Sequence, residues 1–295
     1  MCYGFLHSIH SWEKILLPTN DGRRSERELW NERARAWERW EPALMNGLAA
    51  VNPILFRALD LKPGQRVLDL GSGTGDPALA LAQWVGARGR VLGIDNSNAM
   101  LAVAKRRARV LQLRNVTFRR GDMNRFRPLP RRVQRVVARY SFMFADDIVA
   151  VLRALRASLA PGGILAAAVW GPAEKNPAVT VREEAAKPFR SEPPPDPKTT
   201  PNPMRLARRG LLAKHCTSAG FHDVRTEAAP VATVYSDLEE VARIQMGSSL
   251  AELCESLAPA DLERLRARLE SGFRRFQSGP VVRVPAHAWV VSARR

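Results

Sequence analysis

The sequence predicts an α/β protein, an open and mostly parallel sheet with helices on both faces. Three observations point there. Val67–Leu70 is a short apolar run suited to a buried parallel strand, and Gly71, Gly73 and Gly75 follow it at once. A periodic apolar stretch then starts at Pro77 and continues through Leu79, Leu81 and Ala82, so the order is strand, glycine loop, helix. Beyond it, short apolar runs alternate with helix-period segments, the pattern of a sheet built from crossovers.

Val91–Asp95 reads as the second strand and ends in an acid 20 residues after Gly75. Asn96 or Ser97 then caps a helix whose apolar positions include Leu101, Ala104, Ala108 and Leu111. Val116–Phe118 is a third strand with Gly121, Asp122 and Met123 at its end, and Arg135–Tyr140 is a fourth, followed by Ser141–Phe144. Further on, Arg205–Ala219 reads as a helix ended by Gly220, and Val224–Val234 as a strand. Ser236 with Glu239 forms a capping box for a helix running towards Leu257. Leu262, Leu265, Leu269, Phe273 and Phe276 mark an amphipathic helix, and Val281–Ala293 is the last strand, expected antiparallel at the sheet edge.

A glycine loop after a strand lets a ligand approach the backbone and aims helix N-terminal amides at it. A dinucleotide fold asks for G-x-G-x-x-G, whereas here the third glycine comes one residue early; a P-loop needs a Lys that is absent. The spacing G-x-G-x-G, with Asp69 two residues before the first glycine, fits the S-adenosylmethionine (SAM) loop of class I methyltransferases. Asp95 is then placed to accept both ribose hydroxyls of an adenosyl group, and Asp122 with the Met123 amide to read the adenine edge.

On Val67–Ala82, Val91–Met100, Gly121–Met123, Arg139–Asp146 and Leu159–Gly171, the chain resembles the type 11 SAM-dependent methyltransferases, near the ubiquinone/menaquinone-biosynthesis C-methyltransferases. The resemblance implies a Rossmann-like, seven-stranded, mostly parallel sheet with a helical lid inserted before the last strand. It implies that Asp69, Gly71, Ser72, Gly73, Thr74 and Gly75 hold the methionine end of SAM. Asp95 and Asn96 would lie at the ribose, Met100, Gly121, Asp122 and Met123 near the adenine, and Arg139 where the fourth strand meets the cofactor. Val133 and Gln134 stand where the family usually has an aromatic-Asp pair. No catalytic residue follows from the resemblance; Tyr140, His215 and His222 are the side chains worth testing as a base.

The expected organisation is an N-terminal extension over 1–28, a cofactor-binding core over 29–175, and a substrate-side segment over 176–295. That last segment contains a proline-rich stretch at 192–203 and a helical lid at about 236–276. Trp30, Trp37 and Trp40 recur at helical spacing before the first strand, as a packing face or a lid. No apolar run reaches the roughly 18 residues of a membrane span. The start has neither a basic n-region nor a cleavage site, and Cys2, Cys216 and Cys254 are far apart. These features predict a reducing, cytoplasmic setting without disulfide or metal.

The net charge of +17 is concentrated: residues 105–139 hold thirteen Arg and Lys against Asp122 alone. Such a run fits phosphates or an anionic membrane surface, so a nucleic-acid methyltransferase or binder is the alternative to an enzyme with a small-molecule acceptor. Only seven of the 46 basic residues are Lys, which also fits compositional bias towards Arg.

Overall fold

The computed structural model describes Asn31 and residues 47–190 and 202–295. The expected N-terminal extension, the Trp30–Trp40 stripe and most of the proline-rich stretch lie outside the described residues. The strands are β1 (Arg66–Leu70), β2 (Arg90–Asp95), β3 (Val116–Arg120), β4 (Val133–Arg139), β5 (Leu159–Trp170), β6 (His222–Tyr235), β7 (Gln277–Ser278) and β8 (Val281–Arg294). They form one sheet in the order β3-β2-β1-β4-β5-β8-β6, with β7 pairing only with β8. The first five are parallel, and β8 is antiparallel to both β5 and β6.

Two expectations are corrected. The sheet has eight strands, not seven; the extra one, β7, is a two-residue piece folded onto β8 through Gly279 at φ +58°. Two residues are too few to show alternation, and only the Ser-Gly-Pro turn marks the place. The last strand lies inside the sheet, not at its edge. Ala288, Trp289, Val290, Val291 and Ala293 of β8 are all buried, as in a strand covered on both faces. Asp223, Arg225, Glu227 and Pro230 make β6 the polar, proline-bearing edge instead.

Helices α1 (Asn52–Leu59), α2 (Ala78–Val85) and α3 (Asn98–Val110) cover one face, with Leu55, Leu59, Leu81 and Leu101 fully or almost fully buried. On the other face are α4 (Ile148–Ser158) and α6 (Leu211–Ser218), with Leu152, Leu155 and Leu212 packed against Phe142 and Trp289. Helix α6 is shorter than Arg205–Ala219 because Gly210, at φ +79°, begins it; Gly220, at φ +89°, ends it. A third core joins α5 (Pro177–Ala186), α7 (Leu238–Gly247), α8 (Ala251–Ser256) and α9 (Pro259–Phe273) to Tyr235, Val282 and Val284. The α7 cap is displaced by one residue: Asp237 accepts from the Glu240 amide at 2.7 Å, and the Glu240 carboxylate accepts from the Ser236 amide at 2.6 Å.

The third core sits on an arm. Strand β5 stops at Trp170, opposite Ala288, while β8 and β6 run on together through Val282 and Tyr235. Pro285 is tolerated there because that part of β8 has lost its β5 neighbour. The arm leaves the sheet at the carboxyl end of β5, the edge at which open α/β sheets bind ligands.

Candidate functional site

Strands β1 to β4 deliver their carboxyl ends to one edge, with the switch point between β1 and β4. The glycine loop turns there because the Gly71 and Ser72 amides both donate to the Ile94 carbonyl, at 2.8 and 3.0 Å. The glycines have different tasks. A Cβ on Gly71 (φ +79°) would stand 2.3 Å from the Ser141 Cβ, and one on Gly75 (φ +103°) would press on Ala104 and Leu79 at 3.1 Å. Around Gly73 (φ +49°) there is open space. Its amide donates to Asp95 Oδ2 at 2.8 Å, binding the loop to the end of β2.

Asp95 Oδ1 accepts from the Ser97 amide at 2.9 Å. Burial raises the Asp95 pKa, while the amides of Ser97, Gly73 and Asn96 hold it down. Gly73 and Ser97 each bond one oxygen, and a carboxylate offers about four lone-pair sites, more than its amide donors fill. Ser97 caps α3, its Oγ accepting from the Met100 amide at 3.1 Å and donating to Asn31 Oδ1 at 2.7 Å. Asn96 is half-buried and Met100 is buried. At the end of β3 the Gly121 amide donates to the Asp95 carbonyl at 2.9 Å, and Asp122 Oδ1 accepts from the Asn124 amide at 2.9 Å. Met123 reaches across, its methyl 3.8 Å from the position a Gly71 Cβ would take.

Asp69 is fully buried on β1, and neither carboxylate oxygen meets the geometry of a hydrogen bond among the described residues, although the Ala78 amide lies near enough to lower its pKa. Burial pushes its pKa up to about 8; Arg139 opposes this, while Asp76 and Asp95 add to it. Ser72 Oγ is likewise buried without a partner, and Thr74 is buried with its carbonyl held by Arg107 at 3.0 Å. Arg139 is buried and turned towards Asp76, donating to its carboxylate and, at 2.9 Å, to its carbonyl, and to Asn52 Oδ1 at 3.1 Å. It thereby locks the end of β4, the end of the glycine loop and the start of α1 together.

The other sequence candidates separate. Tyr140 stands at the loop edge, one residue beyond β4. His222 opens β6 at the opposite edge, its Nε2 2.8 Å from the Arg295 carbonyl. His215 is in the last turn of α6, its pKa lowered by burial and by Arg205 and Lys214. Sequence reasoning missed His287 of β8, opposite Gly171 where β5 has just ended. Asn176 pins its backbone, accepting from the His287 amide at 3.0 Å and donating to its carbonyl at 3.2 Å. Its Nδ1 is buried and without a partner among the described residues, and burial, then Lys175, lower its pKa, so the ring is neutral at pH 7. Gly171 is required beside it, since a Cβ there would fall 2.1 Å from Nδ1.

Three residues of the basic run turn inward, while the rest are exposed. Arg135 is buried and donates to the Leu59 and Asp60 carbonyls, Arg139 is committed to Asp76, and Arg107 to Thr74. A cavity of about 370 Å³ lies at the amino edge, far from the loop; its Arg57 and Arg294 pair with Glu227 and Asp223. No helix among the described residues is long and apolar enough to cross a membrane.

This fold and loop define a class I methyltransferase scaffold. Residues 67–163 match the family model described as a methyltransferase domain, so the chain contains a domain of that kind. It is 34% identical over 108 residues to a demethylmenaquinone methyltransferase of Bacillus cereus, covering 37% of this chain and 46% of that one. It is 44% identical over 103 residues to a 2-phytyl-1,4-naphtoquinone methyltransferase of Synechococcus elongatus, covering 34% and 44%. The chain thus spans less than half the length of these curated relatives. The phosphoethanolamine N-methyltransferase 2 of Haemonchus contortus, solved with SAM, shares the fold at a TM-score of 0.57 and 18% identity, over 93% of this chain and 60% of that one. So does the [4+2]-cyclase SpnF, at 0.52 and 20%, over 94% and 84%, so the scaffold alone does not fix the chemistry.

Proposed function

We propose that the protein transfers a methyl group from SAM to a ring carbon of a small aromatic acceptor of the quinone-precursor kind. The buried Asp69 carboxyl, without a hydrogen-bond partner among the described residues, supports this most, together with the open space at Gly73. A buried acid without a donor is costly, and a ligand bringing an ammonium group relieves it. Asp69 and the 71–75 loop, with Ser72 and Thr74, receive the methionine end. The free lone pairs of Asp95 take the ribose hydroxyls, flanked by Asn96 and Met100. Gly121, Asp122 and Met123 line the adenine. Arg139 acts through Asp76 to keep the loop in place. The relatives named for demethylmenaquinone and 2-phytyl-1,4-naphtoquinone supply the acceptor class.

SAM, when bound, supplies a methyl group already activated on a sulfonium. The chain has to orient the acceptor and keep water out, which the helices over the arm are placed to do. Neutral His287 is suited to take the proton that the acceptor sheds. Calorimetry with S-adenosylhomocysteine (SAH) and NAD, followed by methyl-transfer assays on demethylmenaquinone and on RNA, tests this reading. SAH binding without NAD binding, and transfer to the quinone, are expected. A folded protein that ignores SAH overturns it, and methylation of RNA alone moves the acceptor to the nucleic-acid class.

A further inference from the structure

Tyr140 is the first residue beyond β4, at the switch point of the sheet. Its backbone is left-handed, at φ +53°, a conformation that a non-glycine residue adopts only when its surroundings impose it and that gathers at functional sites. The surroundings are in place. The Tyr140 amide donates to the Ala168 carbonyl at 2.8 Å, and the next residue, Ser141, donates from Oγ to the Leu70 carbonyl at 2.8 Å while packing on Gly71. One residue therefore separates Tyr140 from contact with the glycine loop. Its ring stacks on Trp170 at the end of β5, with centroids 4.3 Å apart and planes inclined by 20°. Its hydroxyl is buried and has no partner among the described residues. Burial holds the phenol well above its ordinary pKa, so it remains a donor at physiological pH.

We infer that Tyr140 and Trp170 form the subsite for the acceptor ring, Tyr140 Oη donating a hydrogen bond to an oxygen on that ring and Trp170 supplying an aromatic wall. This rests on the reading of the protein as a methyltransferase of quinone-type acceptors. A ring oxygen gives the hydroxyl the partner it lacks among the described residues. The oxygen has no solvent access, so an entering ring displaces a neighbour. Trp170, stacked on the phenol and itself only half-buried, is the neighbour placed to move.

The test compares the full chain with Tyr140→Phe and Trp170→Leu by calorimetry, with SAH present, using 1,4-dihydroxynaphthalene and naphthalene as probes. Tyr140→Phe keeps the stack and should weaken dihydroxynaphthalene by about tenfold while leaving naphthalene and SAH unchanged, as expected for one lost hydrogen bond. Its melting temperature should hold or rise, because the change removes a buried, unpaired hydroxyl. Trp170→Leu should weaken both probes. Equal dihydroxynaphthalene affinity in wild type and Tyr140→Phe overturns the inference, and so does a wild type that binds SAH but neither probe. Failure to bind SAH at all refutes the methyltransferase reading instead.

Discussion

The carboxyl edge of β1–β4 and the arm of β6 and β8 are held by different means. The edge is fixed by backbone: amides of Gly71, Ser72, Gly73, Ser97 and Gly121 all close onto the end of β2 within 3.0 Å. The helices on the arm are fixed to its backbone ladder by side-chain packing, with Leu265, Leu269, Phe273 and Val282 fully buried in a separate core. A backbone-held site tolerates almost no change of residue type, whereas a packed one tolerates any set of side chains of the right volume.

Substitutions can break that contrast. Gly71→Val should damage fold and site together, through left-handed backbone and the collision with Ser141, at a combined cost of about 2–6 kcal/mol in chemical denaturation. Gly73→Val, facing open space, should cost only about 1–3 kcal/mol of stability yet abolish SAH binding. Equal damage from the two would mean that the loop has no ligand-facing glycine. Phe273→Ala should cost about 3–5 kcal/mol and leave the affinity of the folded fraction for SAH unchanged. A large loss of SAH affinity there would show that the two regions are one unit. Asp95→Ala should weaken SAM by about 2–3 kcal/mol in calorimetry.

Asp69 gives the smallest and most specific effect. Its folded pKa, about 8, lies above the ordinary 3.8. The folded chain therefore holds a proton that the unfolded chain releases, and the stability this contributes is full below about pH 4 and lost as the pH rises through 8. An ammonium group beside the carboxylate favours the ionised form, so binding expels that proton. SAH affinity should climb between pH 6 and 8, by up to about tenfold per pH unit. Asp69→Asn should flatten the slope while raising the stability of the ligand-free protein at pH 8. A wild-type affinity independent of pH would show that Asp69 is already ionised.

The same contrast explains what was legible in the sequence. The loop, Asp95 and Asp122 are separated by fixed spacings because backbone geometry dictates them, so they could be read without coordinates. The place of β8 between β5 and β6 could not, since its pairing partners are distant in the chain, Tyr235 opposite Val282 and Ile164 opposite Arg294. His287 carries no motif. Its surroundings, Asn176 and Gly171, meet it only through the fold. Within the Arg-rich run, spacing alone did not show that Arg135 and Arg139 turn inward.

The continuity of β8 has a mechanical consequence. One unbroken strand runs from the helical cluster at Val282 to the central core at Ala293, so the two cores share a spar rather than a tether. A spar bends and twists but does not swing freely. Uncovering the site should therefore proceed by flexure near Pro230 and Pro285, where the ladder has shed a partner and is most compliant. It also transmits load, so heating should melt both cores in a single calorimetric transition.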